Sequence, residues 1–488
     1  MTLEHLIQNI KSSKRFTEEG IAFIQKAGEF AESAHAGEKR MSGEPYSTHC
    51  FHTAETLALW NLDERTIAAG LLHDTYEDTG VTLPALGKQF GKDIAFLVEG
   101  VSKLGKIKYG GGEKNTENMR KMFLAMAEDV RVVLIKLADR LHNIRTLEYL
   151  KPEKQKRIAL ETIEIYAPIA LRLGMGELKG ELEDLSFPYV YPKEYESLLK
   201  TLSSKYSDVK KYLEKVKPTI EQELEKEGIK QVEINARAKH YYSLYRKLQK
   251  NDMNFDAIYD IIALRIIVGT VEECYAVLGM IHKLWRPLPG RIKDYIALPK
   301  PNGYQSLHTT VFCLDGHITE FQIRTRKMHE EAENGIAAHW AYAEHGKPRD
   351  GVAVDPKKFS WIATIREWQK DVLGEGDDFL ESLKIDYFKD RIFVLTPKGD
   401  VVNLPEGSTP IDFAYDIHSD IGNHCFGAKV NGKMLHLDGK LKSGDVVEIL
   451  TQKNKKPSPS WLEFARTSYA KAKIRQALGV VPPKRKKV

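Results

Sequence analysis

The 488-residue sequence predicts a multidomain protein: an all-α domain over residues 1–200, an α/β domain over 201–342, and a small mixed β domain over 389–452. A polar connector with one helix (343–388) joins the second to the third, and a helix with a basic tail (453–488) follows. Three observations predict this. Residues up to about 200 keep helical periodicity, broken by turn signals at Gly37, Gly43, Gly80 and the Gly110-Gly111-Gly112 run. The periodicity then switches: Ile258 to Val268 is a near-continuous apolar run, and Ile318 to Thr325 alternates with Glu320, Gln322 and Arg324 on one face and Thr319, Phe321 and Ile323 on the other. Finally, Asp390 to Thr451 packs short strands, one helix (Pro410 to His418) and tight turns at Lys398-Gly399-Asp400 and Asn431-Gly432 into a short span.

Within the helical part, Leu71-Leu72-His73-Asp74-Thr75-Tyr76-Glu77-Asp78-Thr79 follows the apolar residues Ile67, Ala68, Leu71 and Leu72 at helical spacing. His73 and Glu77 then fall one turn apart, as do Asp74 and Asp78. An adjacent His-Asp pair can reach one divalent cation, and the two carboxylates one turn on can orient or deprotonate a water. Alone, such a pair is usually a surface hydrogen bond. Two distant segments add to it: Arg40 to His49, ending in a histidine before a helix expected over Thr53 to Leu62, and an amphipathic helix over Val132 to Leu150 carrying Asp139 and Asn143 one turn apart.

Bulk properties narrow the class. The net charge is +5, and Lys484, Arg485, Lys486 and Lys487 supply four of those charges, so the body is nearly neutral. That argues against a protein that coats nucleic acid, while allowing local basic clefts for phosphates. Cys50, Cys274, Cys313 and Cys425 are far apart, which disfavours a zinc ribbon or a disulfide framework. No signal peptide opens the chain and no run approaches the ~20 apolar residues of a membrane span. The expectation is a soluble, cytoplasmic protein with reduced cysteines.

The second domain reads as a site for phosphoryl or pyrophosphoryl transfer. Asp260 and Glu320 on two strands can hold Mg2+ between them. Lys239, Ser243 and Lys247 lie at i, i+4 and i+8, as if on one helix face that can grip a triphosphate. Tyr304 can stack on a purine with Asn302 and His308 as polar readers. Singly, each has a bland reading as a solvated basic face or a turn tyrosine.

Together, the runs YYSLYRKL, YDIIALRIIV, RIKDYIALPKPNGYQSLHTTV, TEFQIRT and AENGIAAHWAY resemble the synthetase domain of the long RelA/SpoT homologs. The His, His-Asp, Asp order of the first domain resembles that of HD phosphohydrolases, and the similarity spans about residues 15 to 475. The resemblance implies a bifunctional alarmone enzyme of the stringent response. In the first domain His49, His73, Asp74 and Asp139 would bind Mn2+, Glu77 and Asp78 would activate or steer the water, and Arg40, Ser42, Asn143 and Thr146 would hold (p)ppGpp while its 3′ pyrophosphate is removed. In the second, Arg237, Lys239, Ser243 and Lys247 would hold ATP, Asp260 and Glu320 would bind Mg2+, and Lys293, Lys300, Asn302, Tyr304 and His308 would receive GDP or GTP. The nucleotide's 3′-hydroxyl would attack the β-phosphate with Glu320 as base. Arg291-Ile292-Lys293-Asp294 resembles the basic variant of two-activity members. Departures from the family pattern are Ala236 and Ala238 around Arg237, Cys50 after His49, Leu171 where His is common, and Met41 in the hydrolase pocket.

The third domain resembles the TGS module, a β-grasp fold, whose histidine at the position of His418 implies contact with the tRNA acceptor end on the ribosome. Two other readings fit the sequence less well. A tRNA nucleotidyltransferase would place its core first, with a Gly-rich turn and an Asp-x-Asp pair that the N-terminus lacks. A ribosome- or tRNA-binding sensor with inactive sites conflicts with the intact acidic and histidine sets.

Overall fold

The computed structural model describes residues 1–105, 122, 125, 126, 128–230, 232–255, 258, 261–300, 302–337 and 391–479. Asp260, the glycine run at 110–112, the connector with Trp361 and Trp368, and the basic tail lie outside the described residues. The chain divides into two compact units; described residues up to 337 belong to the first and 391–479 to the second.

The first unit begins with helices α1 (Leu3–Ser12), α2 (Glu18–Ala34), α3 (Ser47–Leu59), α4 (Glu64–Leu72), α5 (Thr75–Asp78), α6 (Leu83–Phe90), α7 (Lys92–Gly105) and α8 (Val130–Arg145). Asp63 starts α4 by accepting from the backbone N–H of Arg65 and Thr66, which satisfies amides the helix leaves free. Ile67, Ala68, Leu71 and Leu72 are fully buried. Helices α3 and α4 approach closely because Gly70 has no side chain: a Cβ there would lie 2.4 Å from Leu57 Cδ1. This brings His73, at the end of α4, against the α3 face that carries His49.

Helix α3 starts six residues earlier than the sequence suggested, so His49 sits inside it rather than ahead of it. Pro45 and Tyr46 turn the chain into the helix, with Thr48 and His49 donating to their carbonyls; the weak helix formers Thr48, His49 and Cys50 hid this start. Helix α8 ends at Arg145, and a 3-10 turn (Leu147–Tyr149) follows.

Helix α9 (Pro152–Glu161) runs through a π turn at Thr162–Tyr166 into α10 (Ala167–Arg172). The π turn falls just before Pro168, which has no N–H to give to the helix ladder. Arg140 reinforces it by stacking 4.1 Å from the Tyr166 ring centroid and pairing with Glu161 at 3.2 Å. Helix α11 (Gly176–Val190) and the 35-residue α12 (Pro192–Lys226) lead to a mixed sheet.

The sheet holds β1 (Glu233–Ala238), β2 (Ile262–Val268), β3 (Lys293–Asp294), β4 (Leu307–Phe312) and β5 (Ile318–Thr325) in the order β1-β2-β5-β4-β3. Only the β2–β5 pair is parallel, with Ala263 opposite Glu320. Between the strands lie α13 (Tyr241–Lys250) and α14 (Val271–Leu284), and α15 (Arg326–Asn334) follows β5. The expected alternation in β5 holds: Phe321 and Ile323 enter the core with α12, α13 and α14, and Phe321 stacks 5.8 Å from Trp285. The polar face is covered as well, by α15. Helix α13 begins at Tyr241, so Lys239 is not on it. Its N–H instead donates to Ile261 O and extends the β1 ladder, and His240 takes the N-cap position.

The second unit pairs β6 (Arg391–Leu395) with β7 (Val401–Pro405) and orders β8 (Cys425–Val430), β9 (Lys433–Leu435) and β10 (Val447–Thr451) as β10-β8-β9. Helix α16 (Pro410–Ile417) starts at a capping box between Thr409 and Asp412, and Asp412 also accepts from the N–H of Arg466 and Thr467. The turn at Asn431-Gly432 has φ of 51° and 78°, which suits a two-residue hairpin. Two short helices, α17 (Ser419–Asn423) and α18 (Trp461–Phe464), precede and follow β8–β10, and α19 (Ser468–Ala477) closes the described chain.

Candidate metal and nucleotide sites

Helices α3, α4 and α8 bring His49, His73, Asp74 and Asp139 together. Ligand atoms of His49, His73 and Asp74 lie within 4.8 Å of one another. His49 Nε2 is 3.4 Å from Asp74 Oδ2 and 3.3 Å from Asp139 Oδ1; His73 Nε2 is 3.2 Å from Asp74 Oδ1 and 4.0 Å from Asp139 Oδ1. His73 Nδ1 is 2.7 Å from the Gly70 carbonyl, which can only accept, so in the neutral ring that nitrogen carries the proton and Nε2 has the lone pair. His73 Nε2 is buried and makes no hydrogen bond. Two imidazole nitrogens and two carboxylates facing one point, without sulfur, fit a divalent transition metal.

The electrostatics agree. Burial alone would raise the carboxyl of Asp139, but Lys136 first and then His49 and His73 hold it well below the usual range. Asp74 is likewise pushed down against its burial, by His73 and His49. His73 is the exception: burial opposes its charge, but Asp74 overrides it and raises the ring to about 9, so without a cation Nε2 holds a proton that metal binding would displace. Lys136 Nζ is 2.5 Å from Asp139 Oδ2, so that oxygen is occupied and Oδ1 is the one facing the histidines. Asn143 donates to Asp139 Oδ1.

Asp78 reaches the cluster through Tyr46, whose hydroxyl lies 3.0 Å from Asp74 Oδ2 and 2.7 Å from Asp78 Oδ2. Glu77 is exposed beside Gly105, where a Cβ would come within 3.0 Å of its carboxylate. Arg40 and Asn143 meet each other at 2.5 Å. Ser42 turns to Glu44 at 3.3 Å, and Thr146 donates back to the His142 carbonyl. Sequence reasoning missed Tyr46, Lys136 and His142. The last two lie three residues to either side of Asp139, so helical spacing alone was a usable signal.

In the sheet domain, Glu320 anchors a chain of contacts. Gln322 donates to it at 3.0 Å, Arg237 reaches Gln322 at 3.5 Å, His308 Nδ1 lies 3.4 Å away, and Tyr304 OH meets His308 Nε2 at 2.8 Å. Burial pushes the His308 imidazole down, against the pull of Glu320. Lys300 Nζ sits over both Tyr295 (4.7 Å) and Tyr304 (5.2 Å). Lys293 pairs with His308 across β3 and β4.

The segment before α12 touches this region at several points. Asn302 donates to Leu171 O at 3.2 Å, Lys179 donates to Ser243 at 3.0 Å, and Ser243 to Glu183 at 3.2 Å. His240 Nδ1 is 2.9 Å from Asp184. Lys247 shares α13 with Ser243, one turn on. Two cations that sequence reasoning passed over, Arg265 and Arg324, are buried on the polar face of the sheet; each reaches Glu333 at 3.2 Å through one nitrogen, and its other buried nitrogens make no hydrogen bond. Arg265 falls to about 10, through burial and the nearby Arg324. A charge inside the apolar run IIALRIIV was the signal. In the second unit, His418 is exposed at the start of α17, and its Nδ1 accepts from the Asp420 N–H.

Helices that gather His, His-Asp and Asp, followed by a mixed sheet with a carboxylate at its centre, define an HD domain joined to a nucleotidyltransferase-like domain. Comparison with known proteins agrees: an HD domain model matches residues 27–176, a "Region found in RelA / SpoT proteins" matches 236–347, and a TGS domain matches 392–451. The chain belongs to the long RelA/SpoT homolog family. It is 51% identical over 458 residues to a guanosine-3′,5′-bis(diphosphate) 3′-pyrophosphohydrolase of Aquifex aeolicus, covering 93% of this chain and 64% of the relative. It is 50% identical over 456 residues to a GTP pyrophosphokinase of Myxococcus xanthus (93% and 60%). With the bifunctional (p)ppGpp synthase/hydrolase SpoT of Escherichia coli it shares 46% identity over 462 residues (94% and 65%). The chain thus spans less than two thirds of the length of these relatives. The HD and RelA/SpoT regions imply use of a divalent metal. Among the described residues, no helix is long and apolar enough to cross a membrane.

Proposed function

We propose that this chain both makes and breaks (p)ppGpp. The observation that carries the reading is the convergence of His49, His73, Asp74 and Asp139, with His73 Nε2 turned into the cluster by the bond its other nitrogen makes. The first domain (residues 1–200) hydrolyses (p)ppGpp to GDP or GTP plus pyrophosphate. Mn2+ held by the four ligands would supply Lewis acidity and lower the pKa of a water. Asp78, oriented by Tyr46, and Glu77 activate or steer the attacking water, while Arg40 and Asn143 face the alarmone with Ser42 and Thr146 nearby.

The second domain (201–342) transfers pyrophosphate from ATP to the 3′-hydroxyl of GDP or GTP. Glu320 takes the hydroxyl proton, the oxygen attacks the β-phosphate, and AMP leaves. Arg237, Lys239, Ser243 and Lys247 hold ATP. Lys293, Lys300, Asn302, Tyr304 and His308 receive the guanine nucleotide, and Glu320 and Asp260 would hold Mg2+. The residues of 343–388 connect to a TGS domain (389–452), whose exposed His418 is the contact for uncharged tRNA on the ribosome. Residues 453–488 form a terminal helix and tail, and the working compartment is the cytoplasm.

The test is to incubate the purified chain with ppGpp and Mn2+, and separately with ATP, GDP and Mg2+, and resolve the nucleotides by anion-exchange chromatography. Formation of GDP in the first and of ppGpp and AMP in the second supports the reading; neither product rejects it.

A further inference from the structure

His73 has its tautomer set by a backbone carbonyl, but His49 does not. His49 Nδ1 lies 2.8 Å from another imidazole nitrogen, His142 Nδ1, and the same nitrogen lies 2.9 Å from Arg40 Nη1. A guanidinium has donors only, so the Arg40 contact requires a lone pair on His142 Nδ1. His49 must then donate its Nδ1–H to that lone pair, which leaves its Nε2 unprotonated toward Asp74 and Asp139. The His142 ring is buried and stacked on His52, with centroids 4.8 Å apart and planes 18° apart, so it cannot swing out to solvent.

We propose that His142 is a positioning residue for the metal: its Nδ1 is a shared acceptor that fixes His49 as a ligand, and Arg40 holds it in that role. The inference rests on the metal site proposed above. Its consequence is a physical link between the pocket mouth, where Arg40 is half-buried, and a metal ligand. If Arg40 leaves His142, the ring is free to carry its proton on Nδ1. His49 would then face a donor, and the tautomer it needs for the metal would lose its support.

The experiment measures Mn2+ binding to the metal-free full chain by titration calorimetry, with melting of each metal-free variant as the folding control. Wild type should bind, and His49→Ala should not. His142→Phe, which keeps a stacked ring but cannot accept, should bind about 10- to 100-fold more weakly, the usual loss when a ligand's outer partner is removed. His142→Asn, whose carbonyl can accept from both Arg40 and His49, should stay within about threefold of wild type on the same reasoning. A packing role would give the opposite order, with Phe tolerated and Asn not. Arg40→Met, at a half-buried position, should bind several-fold more weakly, and this arm decides alone should His142→Phe fail to fold. Wild-type affinity in His142→Phe or in Arg40→Met, or an Asn variant as weak as the Phe variant, overturns the proposal while leaving the metal site standing. A wild-type chain that binds no Mn2+ overturns both.

Discussion

Gly335 sits where α15 ends against the turn between α10 and α11, and replacing it with alanine tests how tightly that turn is joined to the sheet domain. Its φ is +57°, and a Cβ would fall 2.2 Å from Leu173 O, 2.6 Å from Gly174 C and 2.7 Å from Met175 N. All three obstacles are backbone, so no side chain can rotate away. Holding a residue other than glycine in this conformation costs about 1–3 kcal/mol. Pushing the strands of chain apart also removes the Ile336 N–H to Leu173 O bond, 2.8 Å long, worth about 1 kcal/mol. Together the loss is about 2–4 kcal/mol, and with about 2.1 cal/mol/K of unfolding entropy per residue a unit this large should melt roughly 3–5 °C lower. The displaced turn directly follows Leu171, which lies at the end of α10 and accepts from Asn302. Synthesis should therefore show a raised KM for the guanine nucleotide, while Mn2+-dependent hydrolysis at saturating substrate changes little. Scanning calorimetry and steady-state kinetics provide the assay. A melting temperature within about 1 °C of wild type would refute the close-packing argument.

Further outcomes follow from the same geometry. Asp74→Ala should abolish ppGpp hydrolysis and spare synthesis, and Glu320→Gln should do the reverse; a chromatographic assay in which either variant loses the other activity, with melting unchanged, counts against two separate sites. Chelation of the metal-loaded protein should lower the melting temperature, and Mn2+ at about 100-fold over its Kd should restore about 2.7 kcal/mol; calorimetry that shows no Mn2+-dependent shift contradicts a preformed site. The His240 imidazole is opposed by burial but raised to about 9 by Asp184 and Glu177. A group raised on folding stabilises most below its unfolded value near 6.5, and that contribution fades as pH climbs through about 9. The stability gap between wild type and His240→Asn should therefore be widest near pH 6 and close by about pH 9.5 in denaturant titrations; a gap that widens with pH has the wrong sign.

His73, Asp74 and Asp139 were legible as candidates from helical spacing to apolar neighbours, whereas His49 was placed ahead of its helix and joined them only through the family pattern. What the spacing could not show is how each histidine is oriented. That depends on Gly70 and His142, one a backbone carbonyl and the other a neutral ring, and neither has a local signature. The β5 face was readable from strict alternation. The cover over its polar side was not, since burial of Arg265 and Arg324 is decided by where α15 lands. Lys239 was placed on a helix because i, i+4 spacing carries no information about where a helix starts. The backbone instead spent that residue on the β1 ladder.

Helix α11 has neighbours on two of its faces. Glu181 takes both Nε and Nη2 of Arg145, at the tail of the helix that carries Asp139, while Lys179, Glu183 and Asp184 hold Ser243 and His240 on the sheet side. One rigid rod is thus bolted to two workshops. Sliding it by a single residue's rise, about 1.5 Å, would strip contacts from both at once, so neither can rearrange its side of the rod in private.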